Sequence, residues 1–318
     1  VNEFDLIDAF VSAFPRPPAP SGPGDDAAVL PPTRRAGVVT TDAVVENVHF
    51  SRPAFSLADV GHKALAVNLS DVAAMGARPT WFTVALGLPK GVGGREVRAL
   101  ARGMASLARR HGASLVGGNV TQARELSVTV TVAGTLAGAP LLRSGGRPGD
   151  VVYVSGPLGE AAAGLEVLSA GRGSERPLAG LVRAQRRPAP HLAFAAVARR
   201  FASAGLDVSD GLAQDLGHLC RASGVGAELD SEALPRTAAL EAWAGPRWVD
   251  LALRGGEDYV LLVAIPAARV GAFEAAVAHA RLAAHRIGHL AAKSALRLDG
   301  RTLTGRLGWQ HLATKQDR

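Results

Sequence analysis

Between residues 38 and 136 the apolar pattern changes period several times, and a chain with such a record folds as strands and helices packed in layers. Val38-Val39-Thr40-Thr41 is a β-branched run that reads as a strand with Asp42 at its C-terminal end. Ser56 is placed to cap a helix over 57–75 that Gly76 ends, and Asn68 and Asp71, three apart, share one of its faces. Residues 81–88 alternate as a strand, 95–111 have helical periodicity, 114–116 lead into Gly117-Gly118-Asn119, and 126–136 alternate again. Ahead of all these, Phe4, Ile7, Phe10, Val11 and Phe14 fall at helical spacing and stop at a proline-rich stretch over 15–20.

The segment Arg143-Ser144-Gly145-Gly146-Arg147-Pro148-Gly149-Asp150 is rich in turn formers and precedes a fresh strand over 151–155, which sets a domain boundary near 140–150. Beyond it, helices are expected at about 158–170, 189–204, 212–223 and 269–284, with short strands near 206, 227, 260 and 286. The expected class is α/β: an α+β N-terminal domain over 1–142 and an α/β C-terminal domain over 143–318. A length of 318 residues exceeds what one ordinary core serves.

Composition removes several classes of function. Hydrophobic residues make up 47% of the chain and charged residues 20%, with no apolar run of the length a membrane span needs. The net charge of +7 comes from dispersed arginines, and aromatics at 5% are not interleaved with them, so nucleic-acid binding is not expected. The opening residues are acidic and carry no secretory pattern, and the lone Cys220 cannot close an internal disulfide; the expected compartment is the cytoplasm.

The chemistry is carried by scattered aspartates set among Gly, Ser and Thr: Gly24-Asp25-Asp26, Thr40-Thr41-Asp42, Asp71 and Asp207-Val208-Ser209-Asp210-Gly211. Oxygen donors of this kind suit Mg²⁺ shared with phosphates and waters better than a proton-shuttling pair. Gly22-Pro23-Gly24-Asp25-Asp26-Ala27 matches G-x-G-x-x-A only formally, because no strand precedes it and its carboxylates would face a pyrophosphate; no P-loop is present either.

Each piece also has a plainer reading. Gly24-Asp25-Asp26 alone reads first as a turn, and Ser209 or Asp210 serves equally well as the N-cap of the following helix. Gly255-Gly256-Glu257-Asp258-Tyr259 reads equally as a polar turn before a strand, and His49 reads first as a half-buried, satisfied histidine.

Taken in order, these motifs, with Asn47-Val48-His49-Phe50, the run from Lys63 to Ala77, Arg143-Ser144-Gly145 and Gly308-Trp309-Gln310-His311, resemble the thiamine-monophosphate kinase family. That family sits within an aminoimidazole-ribonucleotide synthase-like ATP-binding superfamily. The resemblance implies a homodimer whose N-terminal sheets pair, ATP as co-substrate with several Mg²⁺ ions, and γ-phosphoryl transfer to thiamine monophosphate. It implies Asp26, Thr40, Thr41, Asp42, Asp71, Asn119, Asp207 and Asp210 at metal positions, with Asp42 and Asp210 central to catalysis. Gly118, Asn119, Arg143 and Ser209 fall at ATP positions, and His49, Glu257 and Trp309 at positions that contact thiamine monophosphate.

Three departures from the family pattern stand out. Gly117-Gly118-Asn119-Val120-Thr121 replaces Gly-Gly-Asp-Thr-Thr, so an amide stands where a metal carboxylate is usual. Val260 follows Tyr259 where Glu is usual, and His191 follows Pro188-Ala189-Pro190 where Arg is usual. The first departure supports an alternative expectation, a homologue that binds nucleotide and thiamine phosphate with weakened catalysis.

Overall fold

A computed structural model describes residues 3–15 and 34–309. They form two compact units, one drawn from Val1–Val72 and Ala77–Ala139, the other from Ala73–Gly76 and Pro140–Arg318. Among the described residues no helix is long and apolar enough to cross a membrane.

The first unit contains helix α1 (Glu3–Val11), strand β1 (Gly37–Val45), helix α2 (Leu57–Ala74), strand β2 (Arg78–Leu88), helix α3 (Gly94–His111) and strands β3 (Ser114–Gln122) and β4 (Ser127–Thr135). The sheet runs β1-β4-β2-β3, antiparallel except for the parallel β2–β3 pair. Its core face follows from alternation: Val128, Val130 and Val132 of β4 and Phe82, Val84 and Leu86 of β2 are buried. Phe14, just past α1, meets Phe82 edge-on at 5.8 Å.

Helix α2 is buried on nearly every side, including Lys63, Asn68 and Ser70. Its start is fixed by reciprocal bonds: Asp59 N donates to Ser56 Oγ at 3.2 Å, and Ser56 N and Oγ donate to Asp59 Oδ2 at 3.2 and 2.7 Å. Gly76, at φ +68°, ends it as expected. Helices α2 and α3 approach unusually closely, because a Cβ on Gly61 would fall on the Leu100 carbonyl and one on Gly103 on the Ala58 carbonyl.

Two sequence expectations need correction here. Strand β1 runs three residues past Asp42, because Val44 is buried and pairs with Val128, so Asp42 lies inside the strand and not at its end. Strand β3 likewise continues through Gly117, Gly118 and Asn119, which pair with Thr83, Val84 and Ala85 of β2.

The second unit contains β5 (Val151–Val154), α4 (Glu160–Ser169), α5 (Ala179–Arg186), α6 (Leu192–Ala198), β6 (Ala204–Asp207), α7 (Leu212–Ser223), β7 (Gly226–Leu229), α8 (Ala238–Ala244), α9 (Trp248–Arg254), β8 (Leu261–Ile265), α10 (Val270–His279), β9 (His285–Ala291), β10 (Leu296–Leu298) and β11 (Arg301–Thr302). The order β11-β10-β7-β9-β5-β8-β6 makes a mixed sheet in which only β7–β10 is parallel. Period-two alternation splits its residues between two cores. Val152, Val154, Leu262 and Ala264 join the core that includes Leu212 and Leu253, whereas Val151, Tyr153, Leu261 and Val263 join Phe194 and Phe273.

The helix expected over 189–204 is only Leu192–Ala198, since Pro188 and Pro190 withhold donors before it and Ala204 already opens β6. The helix expected over 269–284 ends at His279. Helices α5, α8 and α9 and strands β10 and β11 were not expected. α8 and α9 are seven residues each, too short for a periodic signal, and Gly245-Pro246 interrupts them.

The glycine crossing gives a direct test. Gly61→Ala and Gly103→Ala should each cost about 1–3 kcal/mol of stability by overpacking, read from urea unfolding midpoints. Unchanged midpoints would refute the close approach of the two helices.

Candidate active site

In the first unit, Thr40 and Asp71 come together: Thr40 Oγ1 donates to Asp71 Oδ2 at 2.6 Å, linking the strand to the buried helix. Residues opposite each other on paired strands share a face. Thr40 and Asp42 pair with Val132 and Val130, so both lie on the side where Asp71 is found. Asp42 is exposed and Asp71 partly so.

Thr41 is on the other face, where its hydroxyl donates to the Val130 carbonyl at 3.1 Å and meets Thr131 Oγ1 at 3.1 Å. A metal role for Thr41 therefore falls to its backbone oxygen. Asn119 pairs with Ala85, Ala85 with Thr129, and Thr129 with Ala43, which places Asn119 on the face of Thr41 and away from Asp71. Gly118 backs directly onto β2, and a Cβ there would strike the Val84 carbonyl.

His49 sits in a turn closed by the Glu46–Phe50 bridge, with Asn47 at φ +62°. The Val45 amide donates to His49 Nδ1 at 3.1 Å, so the neutral ring carries its proton on Nε2. Buried Glu46 anchors the turn, accepting from Arg52 Nε at 2.5 Å and from the Leu126 amide at 3.1 Å. Burial works to raise the Glu46 pKa, but these bonds hold the carboxyl below its ordinary range.

In the second unit one buried carboxylate organises the loop after β6. Asp215 Oδ2 accepts the amides of Ser209, Asp210 and Gly211 at 3.0, 2.9 and 3.2 Å. Neither Ser209 nor Asp210 caps α7; the N-cap position is Gly211, at φ +121°, and makes no side-chain bond. Burial pushes the Asp215 carboxyl up to about 7, aided by the charges of Asp207 and Asp210 and opposed by the amide bonds.

Two further segments are bound to this loop. Glu257 N donates to Ser209 O at 2.7 Å and Tyr259 N to Val208 O at 2.8 Å, while Trp309 N donates to Asp210 O at 2.9 Å. Gln214 Nε2 spans Asp210 Oδ2 at 3.0 Å and Trp309 O at 2.9 Å. Glu257 and Trp309, far away in sequence, thus meet the turn that carries Asp207, Ser209 and Asp210. The Trp309 ring is exposed, with the Arg306 guanidinium 5.7 Å from its centroid.

Arg143 is exposed, and its carbonyl accepts from Ser223 Oγ at 3.0 Å. Both Arg143 and Asp210 act on His218: burial lowers the His218 pKa first, Arg221 and Arg143 add to that, and Asp210 opposes them. The neighbours in Gly255-Gly256-Glu257-Asp258-Tyr259 divide their work. Asp258 caps α4 through Gly159 N at 2.6 Å and Ala161 N at 3.2 Å, whereas Glu257, at φ +70°, accepts from Gln185 Nε2 at 2.7 Å.

Asp26 and Gln310-His311 lie outside the described residues. Among the described residues no group of three His, Cys, Asp or Glu side chains is arranged to hold a metal ion. The donors are nonetheless all oxygen, and Asp207 and Asp210 concentrate negative charge beside Asp215, which suits a hard cation that retains phosphate and water ligands. Sequence reasoning missed Asp215 and Gln214; the available signal was an acid in the first turn of a helix that follows Ser-Asp-Gly.

Residues 24–136 match the AIR synthase related protein N-terminal domain family and residues 147–301 its C-terminal domain family. A thiamine-monophosphate kinase of Salmonella typhimurium is 40% identical over 286 residues, 87% of this chain and 86% of its own. The crystal structure of thiamine-monophosphate kinase from Stenotrophomonas maltophilia superposes with a TM-score of 0.86 at 36% identity, covering 95% of this chain and 98% of that one. AaThiL complexed with AMPPCP and TMP superposes with a TM-score of 0.81 at 32% identity, covering 97% and 96%.

The carboxylate clamp predicts a local signature. Asp215→Ala should accelerate hydrogen exchange at the Ser209, Asp210 and Gly211 amides by about tenfold or more, given roughly 1.5–3 kcal/mol for hydrogen bonds to a charged group. The β6 amides should keep their protection, and unchanged exchange at all three loop amides would dismiss the clamp.

Proposed function

The chain belongs to the thiamine-monophosphate kinase family of AIR synthase related proteins, and from that premise we infer that it uses ATP to convert thiamine monophosphate to thiamine diphosphate. The observation that carries the reading to particular residues is the convergence of Asp207, Ser209, Asp210, Glu257 and Trp309 on one turn.

The second pKa of the acceptor phosphate is about 6, so the group is largely ionised at neutral pH and needs no general base. What the protein must supply is alignment and relief of repulsion between two anions. Magnesium held by the aspartates would supply charge neutralisation to the phosphates.

We assign Thr40, Asp42 and Asp71 to one ligand group and Asp207 and Asp210 to another, with Asp26 as a further candidate. Asn119 and the Thr41 backbone serve the opposite face of the first sheet. The family resemblance puts Gly118 and Asn119 of the first unit, and Ser209 and the exposed Arg143 of the second, at ATP positions. His49 offers Nε2–H to the acceptor, Glu257 sets a carboxylate near the cationic thiazolium, and Trp309 stacks on it for about 0.5–2 kcal/mol.

An assay of ADP release with thiamine monophosphate, ATP and a magnesium titration tests this. The protein should turn over, Asp210→Asn should lose at least about a hundredfold in kcat, in keeping with loss of charge stabilisation at the reacting phosphates, and its fold should persist. Asn119→Asp should lower the magnesium concentration needed for half-maximal rate. No transfer at saturating substrates would refute the kinase.

We also infer a homodimer through the first unit. Strand β1 is a sheet edge whose outer face carries Val39, 67% exposed, beside exposed Thr41 and Ala43. Sedimentation equilibrium should give twice the 32.7 kDa chain mass, and Val39→Lys should move it toward the single chain.

A further inference from the structure

Trp309 is carried by a strap, residues 303–309, which has no helix or strand of its own and lies past residue 301, where the match to the C-terminal domain family ends. At its start Leu303 N donates to Leu296 O at 2.9 Å, and Leu303 and Leu307 pack against the core that includes Leu212 and Leu253. At its other end Trp309 N donates to Asp210 O. Gly308 lies so close to the turn that a Cβ on it would come within 2.5 Å of that carbonyl and 2.7 Å of Gln214 Cβ.

Between these attachments the strap is held by Arg254, the last residue of α9. Its guanidinium donates to the Thr304 carbonyl at 3.4 Å and to the Arg306 carbonyl, while its Nε pairs with Asp250 Oδ1 at 2.9 Å. A guanidinium presents five donors in a rigid fork, so one side chain can hold two carbonyls and a carboxylate at once. Arg306 passes the fixation on: its Nε donates to Gly308 O at 2.9 Å, and its guanidinium lies over the Trp309 ring.

The main chain of Arg254 runs into Gly255-Gly256-Glu257, and Gly256 backs onto the same turn, where a Cβ would meet Ser209 O at 2.6 Å. Arg254 thus joins two segments: by its backbone the loop that bears Glu257, and by its side chain the strap that bears Trp309.

We propose that Arg254 is a positioning residue for the acceptor: by binding the strap at 304 and 306 it sets Trp309 at a fixed separation from Glu257 and so raises affinity for thiamine monophosphate. The inference rests on the kinase reading above, which assigns Glu257 and Trp309 to the acceptor. A strap without helix or strand, left to its end contacts, would have to be ordered anew at each binding event, whereas the guanidinium orders it on folding. The partly exposed pair with Asp250 adds little stability by itself and serves to aim the fork. Among the bonds described, none links the Arg254 side chain to Asp207, Ser209 or Asp210, so the effect falls on the acceptor and not on ATP.

The test uses the whole protein with two substitutions that reach the strap from different sides. Arg254→Met keeps the length of the side chain and removes its donors; Gly308→Ala presses the strap off the turn and leaves Arg254 in place. Each should speed hydrogen exchange at the Trp309 amide and tryptic cleavage after Arg306 about tenfold, with the Ser209 and Gly211 amides still protected by Asp215. Each should also raise KM for thiamine monophosphate about tenfold and leave kcat and the KM for ATP unchanged.

A loosened strap with an unchanged KM for thiamine monophosphate overturns the positioning role and leaves the kinase standing, as does an equal rise in both KM values. Unchanged exchange and cleavage in Arg254→Met overturns the tie itself. A shift in KM that appears only together with a general fall in thermal stability also counts against the proposal. No transfer by the unsubstituted protein overturns the kinase reading and the acceptor role together.

Discussion

One carboxylate oxygen holds the second unit's chemistry in place. Asp215 Oδ2, buried in the first turn of α7, accepts three successive amides, and that fixes the backbone of Ser209, Asp210 and Gly211. The carbonyls of Val208, Ser209 and Asp210 then point outward to receive Tyr259, Glu257 and Trp309. A turn with this many amides facing one way needs an acceptor, and the buried acid supplies it. It also frees the Asp210 side chain from capping duty, leaving it with Gln214 alone among the bonds described.

The first unit solves a related problem with different means. Asp71 is brought to the sheet by a helix that only glycine at 61 and 103 allows to lie so close to its neighbour. Once there it is oriented by the Thr40 hydroxyl at 2.6 Å, a short bond to a charged acceptor. In both units the described contacts fix the backbone or side chain of an aspartate proposed for metal contact, Asp71 through Thr40 and Asp210 through Asp215 and Gln214.

Much of this was legible in the residues. The helix between Ser56 and Gly76 and the strands at 206, 227 and 286 follow from caps, turn formers and period. The depth of β1 and β3 was misjudged, because Thr, Gly and Asn look like loop material until their partners in β4 and β2 are known. The splitting of Thr40 from Thr41 and Asn119 was available from simple alternation, but only after the register of four strands was fixed. Asp215 was hidden by its place within an apolar helix, and the tie between Arg254 and the strap was hidden by distance along the chain.

The charge distribution completes the physical picture. In a protein of net charge +7, the proposed assignment sets carboxylates where two anionic substrates are to be joined, a placement that repels both unless cations intervene. The dispersed arginines act at longer range, raising the local concentration of anionic ligands without tying any one of them down. On the assignment proposed above, the field reverses sign close to the reacting phosphates, so anions drawn in by the surface would be retained only together with a metal held by the aspartates. On that assignment, dependence on the cation is built into the arrangement: a basic surface governs encounter, and the carboxylates make productive binding conditional.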